Sequence, residues 1–124
     1  MILVTKRFKF EACHFLPQYI GPCHNMHGHS YKLDVTVTGN VKDEGDNCGM
    51  IIDFKELKKV IERTCGNLDH STLNDYFANP TAEVMVLCLA DKIGSTLRDN
   101  YNVELVNLKL WETEDSYAEW RNEQ

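Results

Sequence analysis

Hydrophobic and polar residues alternate along two long stretches of the chain. In residues 2–12, Phe8, Phe10 and Ala12 alternate with Lys9 and Glu11, and His14 keeps the even parity of the phenylalanines. A strand sends side chains i and i+2 to one face, so His14 is expected at the end of a buried stripe. From His27 to Val41 the period is again two: Tyr31, Leu33, Val35 and Val37 alternate with Lys32, Asp34, Thr36 and Thr38. One buried and one wet face is the signature of an antiparallel strand. His27 and His29 share the odd parity of its buried set, and Gly39 marks a bulge or a fraying edge. Pro17, Gly21 and Pro22 make residues 15–26 a loop.

The period then changes. Residues 42–49 are turn chemistry, and Met50–Ile52 reads as a short returning strand. Asp53 is placed to cap a helix with Glu56 as its capping-box partner. Phe54, Leu57, Val60, Ile61 and Cys65 fall on one helical stripe, opposed by Lys55, Lys58, Lys59 and Glu62. Gly66 is the expected stop. Residues 67–79 are irregular. A second helix opens at Asn79-Pro80-Thr81, with Pro80 in its first turn, and runs to about Arg98. Val84 to Ala90 is apolar nearly all round, so this helix is expected to be heavily buried. Val103 to Glu112 is the last strand, with Val106, Leu108 and Leu110 on one face and Glu112 continuing their parity. The acidic, aromatic tail after Thr113 has no clear assignment. The sum is an α+β domain over 1–124, an antiparallel sheet with two helices on one face. Its edges are open, which invites closure by further copies.

Composition narrows the function. The chain has 124 residues, 43% of them hydrophobic, and a net charge of −6. That length fits one domain. The acidic balance without a basic block argues against nucleic acid or an anionic membrane as partner. No apolar run is long enough to span a bilayer, and the start lacks a signal-peptide layout, so a cytoplasmic location is expected. The five cysteines, Cys13, Cys23, Cys48, Cys65 and Cys88, are scattered without a Cys-x-x-Cys pair and read as free thiols. Cys65 and Cys88 are expected to be buried.

The densest chemistry is Cys23-His24-Asn25-Met26-His27-Gly28-His29. In an extended chain His27 and His29 point together and can share one ion, and Gly28 leaves room for close backbone approach. His14 would supply a third imidazole. Three protein ligands and one open position mark a catalytic zinc site, four closed ligands a structural one. Cys23 is therefore either a fourth ligand or a thiol near the cation, which acidifies it. Asp69-His70 could set an imidazole tautomer or be solvated loop residues. Glu112, at the end of an apolar stripe, could accept paired N–H donors or stand in water.

These residues resemble the 6-pyruvoyl-tetrahydropterin synthase / 6-carboxy-5,6,7,8-tetrahydropterin synthase family. The likeness rests on Phe10-Glu11-Ala12-Cys13-His14, Cys23-x-x-x-His27-Gly28-His29, Asp53-Phe54, Leu68-Asp69-His70, Asn79-Pro80-Thr81-Ala82-Glu83 and Glu112-Thr113, in that order. It implies a tunnelling fold, in which subunits join their sheets into a trimeric barrel. Two trimers stack into a homohexamer, and active sites form between subunits. It implies that His14, His27 and His29 hold Zn2+, that Cys23 is the general base, and that Asp69 and His70 form a proton relay. Glu112 would anchor the pterin, with Thr81 and Glu83 lining its pocket. The implied substrate is 7,8-dihydroneopterin triphosphate, whose triphosphate would meet cations such as Lys6, Arg7 or Lys32. The spacing from Cys23 to His27 resembles the bacterial queuosine-pathway enzymes that make 6-carboxytetrahydropterin, acetaldehyde and triphosphate. A pyruvoyl-type synthase and a non-catalytic zinc-stabilised assembly module are the alternatives.

Overall fold

The computed structural model describes residues 1–123. Five strands and two helices follow the order β1 (Val4–His14), β2 (His27–Thr38), α1 (Phe54–Cys65), β3 (Ser71–Thr72), α2 (Ala82–Tyr101), β4 (Glu104–Thr113) and β5 (Ser116–Arg121). They form one sheet in the order β3-β1-β2-β4-β5. The long strands pair antiparallel, but β3 runs parallel to β1 through Ala12–Ser71 and Cys13–Thr72. The sheet is thus mixed rather than antiparallel throughout. Both helices cover one face and close a single core with it.

The register of β1 on β2 pairs Phe10 with Tyr31, Ala12 with His29 and His14 with His27. Even residues of β1 and odd residues of β2 therefore share the helix-covered face. Phe10, Ala12, His14, Tyr31, Leu33, Val35 and Val37 are all buried there. The other face carries Arg7, which grips Asp34 through two bonds of 2.7 and 3.0 Å, and Trp111, which donates to the same carboxylate at 3.1 Å.

Strict period two fails in β4. The pairing shifts between Thr36 and Val37, so that Asn107 and Leu105 are opposed and Val106 is the extra residue. This bulge moves the buried set to Val103, Leu105, Leu108 and Leu110 and leaves Val106 half-buried. The tail becomes β5, whose Trp120 pairs with Leu108 and packs against the core.

Several expectations at element ends are corrected. β2 stops at Thr38, and residues 50–52 bend instead of forming a strand, although Ile51 and Ile52 are buried. A side chain at Gly39 would stand 3.2 Å from Ile51 Cγ2, so close packing accounts for that glycine. Asp53 caps α1 by accepting from the Lys55 N–H at 2.9 Å. Glu56, however, turns to Lys59 and to the Tyr101 hydroxyl, and the reciprocal capping-box bond is not made. Phe54, expected on the buried stripe, is half exposed. Gly66 does not end α1 in the left-handed region; at φ −62° it leads into a 3-10 turn, Gly66–Leu68.

In α2, Thr81 is the N-cap, its hydroxyl accepting from the Val84 N–H at 3.1 Å, so Pro80 precedes the helix. The helix runs on to Tyr101 and closes at Asn102 with φ 53°. Burial follows Met85, Val86, Leu89, Ala90, Ile93 and Leu97, while Leu87 and Cys88 are exposed. The apolar run is therefore not enclosed all round. Cys65 is buried as expected, and burial pushes its thiol up to about 12.

Candidate metal centre and active site

The antiparallel register delivers the three histidines to one place. His14 ends β1, His27 and His29 begin β2, and one nitrogen from each lies within 4.8 Å of the others. The backbone settles their tautomers. His14 Nδ1 is 2.9 Å from the Pro80 carbonyl oxygen, and His27 Nδ1 is 2.8 Å from that of Asn25. A carbonyl only accepts, so each Nδ1 carries the proton and each neutral ring presents a lone pair at Nε2. Those two Nε2 atoms are 3.1 Å apart. Two lone pairs that close repel unless a cation or a proton stands between them. The His29 Nε2 is buried with no hydrogen-bond partner, a costly arrangement for a polar atom.

The donor set fits zinc: three neutral imidazoles, each of a type that binds it readily. Burial pushes His14 and His29 below the usual histidine range, which favours their neutral, ligating forms. The Cys23 thiol, half-buried in the 3-10 turn Pro22–His24, does not converge with the three nitrogens. A closed set of four ligands is not assembled among the described residues. Gly28 is not required by close approach, since a methyl group there would come no nearer than 3.7 Å to the Ala12 carbonyl.

Glu112 borders this centre. Its Oε1 is 3.7 Å from His29 Nε2, and it also lines a cavity of about 320 Å³ with Glu83, Ser116 and Tyr117. Glu83 comes from the first turn of α2. Thr81 is not among the residues lining that cavity, because its hydroxyl caps the helix.

Asp69 and His70 sit elsewhere. His70 has φ 58°, and in this left-handed conformation its Nδ1 comes within 3.1 Å of Asp69 Oδ1. The same oxygen accepts the Glu11 N–H at 2.9 Å, and the His70 N–H donates to the Glu11 carbonyl at 2.6 Å. The Glu11 N–H, helped by His70, holds the Asp69 carboxyl below its usual range. The His70 ring is 80% exposed and lines a groove of about 520 Å³ with Glu11, Cys13, Ser30 and Thr72. His29 borders this groove too, but no hydrogen bond or ion pair among the described residues joins Asp69 or His70 to the three histidines. Of the expected cations, Arg7 is held by Asp34.

Sequence reasoning did not reach the Asn25 and Pro80 carbonyls, which carry no side-chain signal. It took Tyr31 for core; the available clue was its position two residues after His29 on the same face.

Comparison with known proteins agrees with this architecture. A family model described as 6-pyruvoyl tetrahydropterin synthase matches residues 3–123. The chain is similar to the 6-carboxy-5,6,7,8-tetrahydropterin synthase of Bacillus subtilis, 33% identical over 95% of this chain and 84% of that protein. It is also similar to the dihydroneopterin monophosphate aldolase of Pyrococcus furiosus, 36% identical over 88% of each. Among solved structures, the 6-pyruvoyl tetrahydropterin synthase of Caenorhabditis elegans superposes with a TM-score of 0.82 over 98% of this chain and 96% of that one, at 22% identity.

Proposed function

The chain belongs to the 6-pyruvoyl tetrahydropterin synthase family, and from that premise we propose that it is a zinc-dependent 6-carboxy-5,6,7,8-tetrahydropterin synthase of queuosine (7-deazapurine) biosynthesis. It converts 7,8-dihydroneopterin triphosphate and water to 6-carboxytetrahydropterin, acetaldehyde and triphosphate. The observation that supports this most is the convergence of three imidazole nitrogens within 4.8 Å, beside a cavity lined by Glu83 and Glu112.

His14, His27 and His29 hold the ion, which supplies Lewis acidity to the substrate's side-chain hydroxyls. The remaining work falls to the chain's own groups. Glu112 accepts the paired N–H donors of the pterin edge and orients the ring, with Glu83 and the Thr81 segment walling the pocket. Cys23, on the turn just before His27, takes the proton from the side-chain carbon or hydroxyl as general base. Asp69 fixes the His70 tautomer, so that the pair can pass a proton on.

Asp69 and His70 are proposed to serve the metal centre of a neighbouring copy. The outer edge of β5 and most of the outer edge of β1 are unpaired in the single chain, as joining of sheets into a trimeric barrel and a homohexamer requires. The protein is proposed to act in the cytoplasm; among the described residues no helix is long and apolar enough to cross a membrane.

The test is incubation with 7,8-dihydroneopterin triphosphate, with acetaldehyde, triphosphate and bound metal measured on one sample. Release of acetaldehyde by zinc-loaded protein is expected. Triphosphate release with every side-chain carbon retained would identify a pyruvoyl-type synthase instead. A second reading, an aldolase acting on dihydroneopterin monophosphate, is favoured by the 36% identity to the Pyrococcus protein. Turnover of the monophosphate with the triphosphate untouched would establish it.

A further inference from the structure

The inference concerns how the metal centre is held in shape, and it rests on the proposed metal at His14, His27 and His29. We propose that Tyr31 is the positioning residue of that centre: its hydroxyl and ring hold His14 in the one orientation that presents Nε2 to the ion.

An imidazole can turn over about its χ2 bond at little local cost, since that torsion is broad and nearly two-fold. Turning His14 over would replace Nδ1 by a carbon and carry Nε2 away from His27. The opposing restraint is a fork around Nδ1. Its N–H lies 2.9 Å from the Pro80 carbonyl oxygen and 3.3 Å from the Tyr31 hydroxyl oxygen. One proton serves both, the carbonyl taking the shorter branch and a lone pair of the phenol oxygen the longer.

The two prongs differ in rigidity. Pro80 sits on the connection before α2. Tyr31 is inside the sheet and 1% exposed. It is paired across strands with Phe10, their rings 4.8 Å apart and within 7° of parallel. The Tyr31 ring also stands edge-on to His29, with centroids 5.5 Å apart. It thereby floors the space beneath two of the three ligands.

Packing alone would be served by phenylalanine. A buried hydroxyl is costly unless it is hydrogen-bonded, and among the described residues the only partner of this one is His14 Nδ1. Acceptors on the remote nitrogen of a metal-binding histidine orient the ring and raise its basicity, and losing one typically weakens metal binding about 10- to 100-fold.

Tyr31→Phe keeps the ring and removes the oxygen. Three readouts are compared with wild type: zinc affinity by chelator competition, the visible absorption of the Co2+-loaded protein, and the melting temperature of the metal-free chain. Zinc binding is expected to weaken about 10-fold, with a shifted Co2+ spectrum and an unchanged metal-free melting temperature. Unchanged affinity and spectrum would overturn the proposal. So would a metal-free melting temperature that falls along with affinity, since that is a packing role. Should Tyr31→Phe fail to fold, nitrogen NMR of metal-free wild type decides. A His14 proton on Nδ1 in a slowly exchanging hydrogen bond supports the fork, and one on Nε2 removes it. Wild-type protein that takes up neither metal would strike the metal reading itself, and this proposal with it; loss of the Tyr31 effect alone leaves that reading standing.

Discussion

His27 and His29 leave β2 two residues apart, and their shared face was legible from the period of the strand. So was the place of His14 at the end of the stripe headed by Phe8 and Phe10. Their meeting point was not legible from either strand alone; it follows from the register that sets His14 opposite His27. Because three neutral nitrogens make the proposed site, removing one should be severe. His29→Ala is expected to weaken zinc binding by more than the roughly 100-fold that loss of an outer partner costs, measured by chelator competition. Cys23 lies outside the converging atoms. Cys23→Ala should therefore keep stoichiometric zinc while turnover falls by about 10²- to 10⁴-fold, the usual share of a general base. Metal lost together with the fold would instead support the assembly-module alternative. Asp69 and His70 show the limit of local reading. Adjacent residues seldom face each other, yet the left-handed backbone at His70 brings ring and carboxylate within 3.1 Å. A strained φ on a histidine has no signature in a single sequence.

At the scale of elements, amphipathic period placed β1, β2, α1 and α2 within a few residues of their ends, and the misses have local causes. Val106 left the buried face because a bulge inserts one residue, which alternation cannot foresee. Leu87 and Cys88 stayed exposed because a helix against one sheet face buries only the stripe that meets it. Thr81 anchors the start of α2 through the Val84 N–H. Thr81→Ala is expected to cost about 1 kcal/mol, read from urea unfolding; a shift near zero would show that water replaces the cap without loss. On the exposed face of β1 and β2, the Arg7 guanidinium, with help from the Trp111 N–H, holds the Asp34 carboxyl below the usual carboxylate range. A lowered folded-state value means the contribution is full above the ordinary aspartate range and disappears as pH falls through the folded value. Wild type should thus lose more stability than Asp34→Asn between pH 7 and the acid limb of the urea midpoint. Parallel curves for the two proteins would contradict this.

The whole molecule leaves two lengths of strand edge unpaired, on β1 and on β5, and it sets the Asp69–His70 pair and the three histidines apart without a hydrogen bond between them. Both features fit a site assembled between copies. Mixing Cys23→Ala with His70→Ala chains under conditions that exchange subunits should then restore about a quarter of the wild-type sites, as random pairing across a head-to-tail interface gives. Two inactive proteins that remain inactive in mixed assemblies would place both residues in one chain's site. Sedimentation should show the hexameric mass for each.

Alternation, helical period and residue type sufficed, on their own, to define an α+β chain with three imidazoles on buried parities and a carboxylate closing the last strand. Those properties are local, because period two and period 3.6 are written into consecutive residues. The tertiary structure alone decided the mixed sheet, the bulge at Val106, the conversion of the tail into β5, the carbonyls that fix the His14 and His27 tautomers, and the placing of Tyr31 under His14. Each depends on residues far apart in the chain, and backbone groups, identical in every residue, leave no trace of their partners in the order of side chains.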